Sequence, residues 1–139
     1  MKVLVSACVL GCNCKYNGKN NRNEAVIKYL KDKEVISICP ELLANMPTPR
    51  PCAEIIDEVV MDDKGNNVDA DYRRGVILAL EKIKDENIDL AILQSRSPTC
   101  GVNHIYDGTF TGKLISGQGI FAKALMAKGY TVKDAEDFK

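Results

Sequence analysis

Short apolar runs alternate along the chain with amphipathic stretches and polar loops. Lys2-Val3-Leu4-Val5-Ser6-Ala7 predicts a buried strand ending at Cys8, followed by an irregular Asn-, Gly- and Lys-rich loop to Asn23. The apolar positions of Glu24–Lys31 predict a short helix. Glu34-Val35-Ile36-Ser37-Ile38 predicts a second strand, stopped by Cys39-Pro40. Residues 45–52 carry Pro47, Pro49 and Pro51 and read as an extended loop. Ile55–Met61 is a weaker strand, closed by a turn over 62–66. Val76, Ile77, Leu80 and Ile83 keep helical spacing, which predicts a helix over Ala70–Glu86 capped by Asp69. Leu90-Ala91-Ile92-Leu93-Gln94 predicts a third clear strand. Residues 95–101 form a polar turn and 103–112 an irregular segment. A helix is expected from Ser116 or Gly117 to Lys128, stopped by Gly129, and Tyr130-Thr131-Val132 is the expected last strand.

Strands that alternate with helices and read as continuous apolar runs indicate an α/β fold. The expectation is a mostly parallel sheet flanked by helices, a Rossmann-like three-layer arrangement. No repeat or linker interrupts the pattern, so residues 1–139 read as one domain. A chain of this length buries about 68–70% of its unfolded surface and needs no disulfide or structural metal to fold. Nineteen basic and nineteen acidic residues cancel, which gives no basic surplus for a duplex nucleic acid. Lys2 and the apolar stretch Val3–Leu10, followed by Gly11-Cys12, imitate a lipoprotein leader. The stretch is too short for a secretory signal, and no run approaches the ~18 residues of a membrane helix. The sequence therefore predicts a cytoplasmic protein, off the membrane, as a monomer or weak homodimer.

The six cysteines, at 8, 12, 14, 39, 52 and 100, change this ordinary picture. They fall well short of the ~8–10% of a disulfide scaffold, and in a self-supporting cytoplasmic chain such a count points to metal binding or thiol chemistry. Cys8, Cys39 and Cys100 each lie at or just past the C-terminal end of a predicted strand, the edge where ligands of open α/β sheets bind. Three thiolates suit zinc, Cu(I) or an iron–sulfur cluster and leave one metal position open for a substrate. The competing reading is three separately buried structural cysteines.

Other near-motifs fail. Cys8-x3-Cys12 opens like a cluster triplet, but Lys15 stands where the third cysteine would fall. Gly108–Leu114 imitates a phosphate loop, one residue short and with Leu114 at the magnesium position. No Cys-x2-Cys pair exists. His104, the only histidine, reads as an ordinary residue. Arg50 and Arg96 read equally as anion clamps or solvated loop charges. Glu41, two residues after Cys39 and fixed by Pro40, is either a proton-transfer carboxylate or a first-turn helix acid.

Three blocks carry a family resemblance. The first is Val5-Ser6-Ala7-Cys8-Val9-Leu10-Gly11 with Cys14-Lys15-Tyr16-Asn17-Gly18. The second is Cys39-Pro40-Glu41 with Pro47-Thr48-Pro49-Arg50-Pro51 and Ala53-Glu54-Ile55. The third is Ser95–Gly101 with Ile105-Tyr106-Asp107-Gly108 and Phe110-Thr111-Gly112. Together they resemble the DUF523 family over nearly the whole chain. The resemblance implies an iron–sulfur enzyme that removes sulfur from a thiolated pyrimidine such as 2-thiouracil. It implies a [4Fe-4S] cluster on Cys8, Cys39 and Cys100 with one open iron, which captures the sulfur before its release as sulfide. It further implies Glu41 as the acid/base group, Ser95 or Ser97 at the substrate, and a small-molecule substrate as the partner. Cys52 stands where the family usually has proline. Val9, Lys15, Asn17 and Thr99 replace Leu, Arg, Asp and Ser, and a glycine-containing turn is altered around Leu43–Met46. Cys14 occupies a position often filled by cysteine, and Cys12 has no family role. The alternative is a non-catalytic metal-binding or redox-sensing protein that also uses Cys12, Cys14 and Cys52.

Overall fold

The computed structural model describes residues 1–138. Four strands, β1 (Lys2–Ser6), β2 (Glu34–Ile38), β5 (Leu90–Leu93) and β8 (Val132–Asp134), form one parallel sheet in the order β2-β1-β5-β8. Two antiparallel hairpins lie outside it, β3 (Ala53–Ile56) with β4 (Val59–Asp62) and β6 (His104–Tyr106) with β7 (Leu114–Ser116). The helices are α1 (Glu24–Tyr29), α2 (Pro40–Leu43), α3 (Asp69–Ile83) and α4 (Ile120–Ala127).

Side chains of a strand alternate between the faces of its sheet, so the central strands β1 and β5 feed two cores. Leu4, Ala91 and Leu93 point to one face, where α3 supplies Tyr72, Val76, Ala79 and Ile83 and α4 supplies Phe121, Ala122 and Leu125. Val3, Val5, Leu90 and Ile92 point to the other, against Val26 and Leu30 from the α1 segment and Ala135. Helices therefore cover both faces, and the parallel α/β expectation holds. Phe121 is the one phenylalanine in the fully buried set. Leu, Ile, Val and Ala carry most of the rest of the core, as the composition requires. The N-terminal apolar stretch is the central strand β1. Among the described residues no helix is long and apolar enough to cross a membrane.

Several boundaries move. The single strand expected at Ile55–Met61 is two, because Asp57 and Glu58 both take left-handed φ (50° and 67°) and reverse the chain between β3 and β4. Such primed turns usually advertise themselves with Asn or Gly, and here they do not. Asp69 does not cap α3. Its carboxylate accepts from the Val60 amide at 2.9 Å and pairs with Arg73 at 2.8 Å, tying the hairpin to the helix. β6 and β7 occupy segments expected to be irregular or helical, and α4 starts only at Ile120. β8 begins at Val132, two residues later than expected, although the Thr131 carbonyl already accepts from Ala91. The strand expected to reach Cys8 ends at Ser6, and Ala7–Leu10 winds into a 3-10 turn closed by Gly11 at φ 103°.

Candidate active site

β1 is flanked on one side by β2 and on the other by β5, so the chain reverses its winding direction at this strand. A crevice opens at such a point beyond the carboxyl ends of the strands. There a cavity of about 570 Å³ is lined by Cys8, Cys14, Cys39, Cys52 and Cys100, with Glu41, Glu54, Ser95, Ser97 and Phe110 among the other walls. All six cysteines are free thiols. The structure thus brings Cys8, Cys39 and Cys100 to one cavity, together with the three other predicted site residues. Cys12 is exposed and is not part of the wall.

Each thiol is held by its own local structure. Cys8 sits in the 3-10 turn after β1, its carbonyl accepting from Gly11 and Asn21. The neighbouring Cys14 thiol lowers Cys8 to about 7; burial opposes this, and the Asn21 amide, 3.5 Å from its sulfur, assists. Cys39 is the residue before Pro40, which starts α2 and fixes the chain direction there. Cys100 follows β5 in the turn Ser97–Gly101. Ser97 Oγ accepts from the amides of Thr99 and Cys100 at 3.0 and 3.1 Å. The first amides of α4 complete the cradle: Ile120 donates to the Pro98 carbonyl, and Phe121 and Ala122 donate to Thr99. These helix N-terminal donors would otherwise lack partners. The approach is so close that a Cβ on Gly119 would collide with the Thr99 carbonyl carbon. Burial and the Glu41 charge raise the Cys100 thiol well above its ordinary value, with a hydrogen bond to Ser6 opposing them.

Glu41 lies in the first turn of α2 and is only 8% exposed. Cys39 Sγ donates to its Oε2 at 3.3 Å, and Thr99 Oγ1 donates to its Oε1 at 2.5 Å. The two sequence readings of Glu41 are therefore compatible: it is a first-turn acid and a buried cavity carboxylate. Ser95 is buried, and its Oγ accepts from the Gln94 side-chain Nε2 at 3.4 Å. Ser97 has its oxygen committed to the backbone of the Cys100 turn.

Arg50 is not a solvated charge: it lines the cavity, and its Nε is buried without a hydrogen-bond partner among the described residues. Its guanidinium donates to the carbonyls of Cys14 and Pro47 and to Thr48 Oγ1, and its amide donates to Tyr16, clasping two loops together. Arg96, at φ 67°, pairs with Glu136 at 3.1 Å. His104 is exposed on β6 and lies outside the cavity wall. Two residues that sequence reasoning did not place at the site are Ser6 and Asn21, which contact the Cys100 and Cys8 thiols. Thr99 carried two sequence signals, its place beside Cys100 and its replacement of the family's Ser, but neither pointed to Glu41. Cys14, left as an accessory thiol, is buried, and the neighbouring Cys39 and Cys8 thiols together with burial push its own thiol far up. Cys52 Sγ donates to Asp63 at 3.4 Å, and burial raises it. Phe110 holds left-handed φ at 57°, a conformation costing a bulky residue on the order of 1–3 kcal/mol.

Among the described residues no three His, Cys, Asp or Glu side chains are close enough to share one metal ion. The three strand-end thiols share the cavity wall with Cys14.

The comparisons agree with this architecture. A Bacillus subtilis (strain 168) protein, YbbK, described as uncharacterized, is 38% identical over 140 residues, covering 94% of this chain and 93% of its own. A solved structure of a [4Fe-4S]-dependent thiouracil desulfidase, TudS, superposes with a TM-score of 0.90 at 33% identity, covering 98% of this chain and 91% of that one. The model of the 2-thiouracil desulfurase family matches residues 3–137. With the cavity, its thiols and nearly the full length inside that match, the chain belongs to the 2-thiouracil desulfurase family.

Proposed function

We propose that this protein is a desulfurase that exchanges the thiocarbonyl sulfur of a thiolated pyrimidine, such as 2-thiouracil, for oxygen from water. The observation that carries the reading is a buried Glu41 bonded to Cys39 in a cavity that also receives Cys8 and Cys100. The donor set fits a [4Fe-4S] cluster. Three soft thiols come from three strand ends and line one cavity, and thiolates are the usual ligands of such a cluster. Cys8, Cys39 and Cys100 would hold it. When bound through three thiolates, such a cluster offers one free iron, a soft Lewis acid for a thiocarbonyl sulfur.

The rest falls to the chain's own residues. As a ligand Cys39 would be a thiolate, without the proton that it now donates to Glu41 Oε2. Oε2 is then free to accept a proton from water as the water adds to the thiocarbonyl carbon. Thr99 fixes Oε1, so Glu41 keeps its direction toward the cavity. The C–S bond breaks, the carbon becomes a carbonyl, and the sulfur leaves as sulfide. One water is consumed per C=S converted, with no net oxidation or reduction. Ser95 is the serine whose hydroxyl is available to orient substrate, whereas Ser97 serves the Cys100 turn.

The test is reconstitution with iron and sulfide under anaerobic conditions, followed by addition of 2-thiouracil. The expected result is uracil and sulfide in equal amounts without an added reductant. An intact cluster with no sulfide released would refute the substrate assignment. A sensing role that also enlists Cys12 finds less support, because Cys12 lies outside the cavity.

A further inference from the structure

One wall of the cavity takes no part in the chemistry above. The loop joining β6 to β7 reaches back over β3, where Glu54 is only 8% exposed. Glu54 Oε1 accepts from two amides of that loop, Gly108 at 2.9 Å and Phe110 at 3.1 Å. The loop presses so closely on β3 that a Cβ on Gly108 would lie 2.8 Å from the Ile55 carbonyl oxygen. Asp107 tightens the turn by accepting from the amide and the hydroxyl of Thr109, and its own amide donates to Lys113. A buried carboxylate, a close backbone contact and an acidic turn residue thus hold a segment that would otherwise be an ordinary hairpin tip.

Phe110 is the residue these contacts constrain. A phenylalanine with left-handed φ is an outlier, and such conformations persist only where the surroundings enforce them. Its ring is half-buried and lines the cavity that also holds Glu41 and the three strand-end thiols. Nothing in the core requires it, since Phe110 belongs to neither hydrophobic cluster. An aromatic face held at a cavity wall suits a flat heteroaromatic ring, because stacking tolerates different ring substituents while excluding non-planar compounds.

We propose that the Glu54-anchored loop presents Phe110 as the stacking face for the ring of the substrate, making Phe110 a specificity-determining residue. The inference rests on the desulfurase reading for the identity of that ring. Phe110→Ala should raise KM for 2-thiouracil about tenfold, with a much smaller change in kcat, because stacking holds substrate and transition state alike. Iron and sulfide per chain should match the wild type, and Phe110→Tyr should restore KM. Glu54→Ala should release the loop and raise KM similarly; a wild-type KM in that variant would overturn the anchoring.

The chain contains no tryptophan, so Phe110→Trp introduces a single fluorophore at the wall. Its emission in the reconstituted protein should change saturably on titration with 2-thiouracil and with uracil. Silent emission, or a wild-type KM in Phe110→Ala with normal sulfide release, would overturn the stacking role and leave the desulfurase reading standing. A saturable emission change without any sulfide release supports stacking and refutes the desulfurase reading instead.

Discussion

Thr99 Oγ1 donates to Glu41 Oε1 across 2.5 Å, joining the turn after β5 to the first turn of α2. Both residues are buried, so the bond fixes the direction of the carboxylate. Thr99→Val keeps the shape and removes the hydroxyl. It leaves Oε1 unsatisfied, at a cost of about 1–3 kcal/mol. The carboxylate should turn to find another donor, and desulfuration should fall about 10–100-fold, as displaced catalytic groups do. Glu41→Gln should cost about 10²–10⁴-fold, the usual worth of a general base. Both variants should retain wild-type iron content. Rates with 2-thiouracil, normalised to iron, check this.

The cysteines should divide into two groups when iron is measured after anaerobic reconstitution. Cys8→Ala, Cys39→Ala and Cys100→Ala should each lose most of the iron and its visible absorbance. Cys12→Ser should keep both, since Cys12 is exposed and apart from the cavity. Cys52→Ser should keep both as well, because its thiol is turned to Asp63. Full iron content in any one of the first three would remove that residue from the ligand set.

Ser95 and Ser97 should fail differently. Ser97→Ala removes the acceptor of two amides in the Cys100 turn, a loss of about 0.5–1.5 kcal/mol for each hydrogen bond. Its signature should be lower iron content and a lower melting temperature, with activity per iron nearly preserved. Ser95→Ala leaves that turn intact. It should keep its iron and lose kcat/KM. The two measurements, iron per chain and rate per iron, separate a positioning role from a substrate contact.

What could be read from the sequence depended on how far apart the cooperating residues lie. A buried parallel strand is a continuous apolar run, so β1 and β5 were visible, and with them the strand ends carrying Cys8 and Cys100. Cys39 was visible because Pro40 marks the end of β2. The hairpins were not legible. β6 and β7 have three residues each, and every residue of β7 is exposed, so no alternation betrays them. The link between Thr99 and Glu41 spans 58 positions and rests on side chains, which leave no period in the sequence. Arg50 was ambiguous for the same reason, since a loop arginine looks alike whether it is solvated or clasps backbone carbonyls. Cys14 could be flagged as a thiol but not placed between Cys8 and Cys39 until the loop over 11–23 had a path.

The last prediction concerns acid stability. Asp62, at the end of β4, receives the amides of Asn66 and Lys64 at 2.9 Å each and the Asn66 side-chain amide at 3.1 Å. The Asn66 contacts and then the Lys64 amide hold its carboxyl below the ordinary aspartate range, against the opposing effect of burial. A folded pKa below the unfolded one means that the unfolded chain takes up protons first as the pH drops. The stabilisation is therefore fully present above the unfolded value of about 3.9 and disappears as the pH falls through the lower folded value. Asp62→Ala should lower the urea midpoint at pH 6. The gap from wild type should narrow as the pH is taken below about 4. Because the turn closed by Asp62 also positions Asp63, the partner of Cys52, the variant should loosen this edge of the cavity while leaving the Glu41–Thr99 pair intact. A midpoint difference that stays constant from pH 6 to pH 3 would mean that the carboxylate charge contributes nothing and that the turn is held by shape alone.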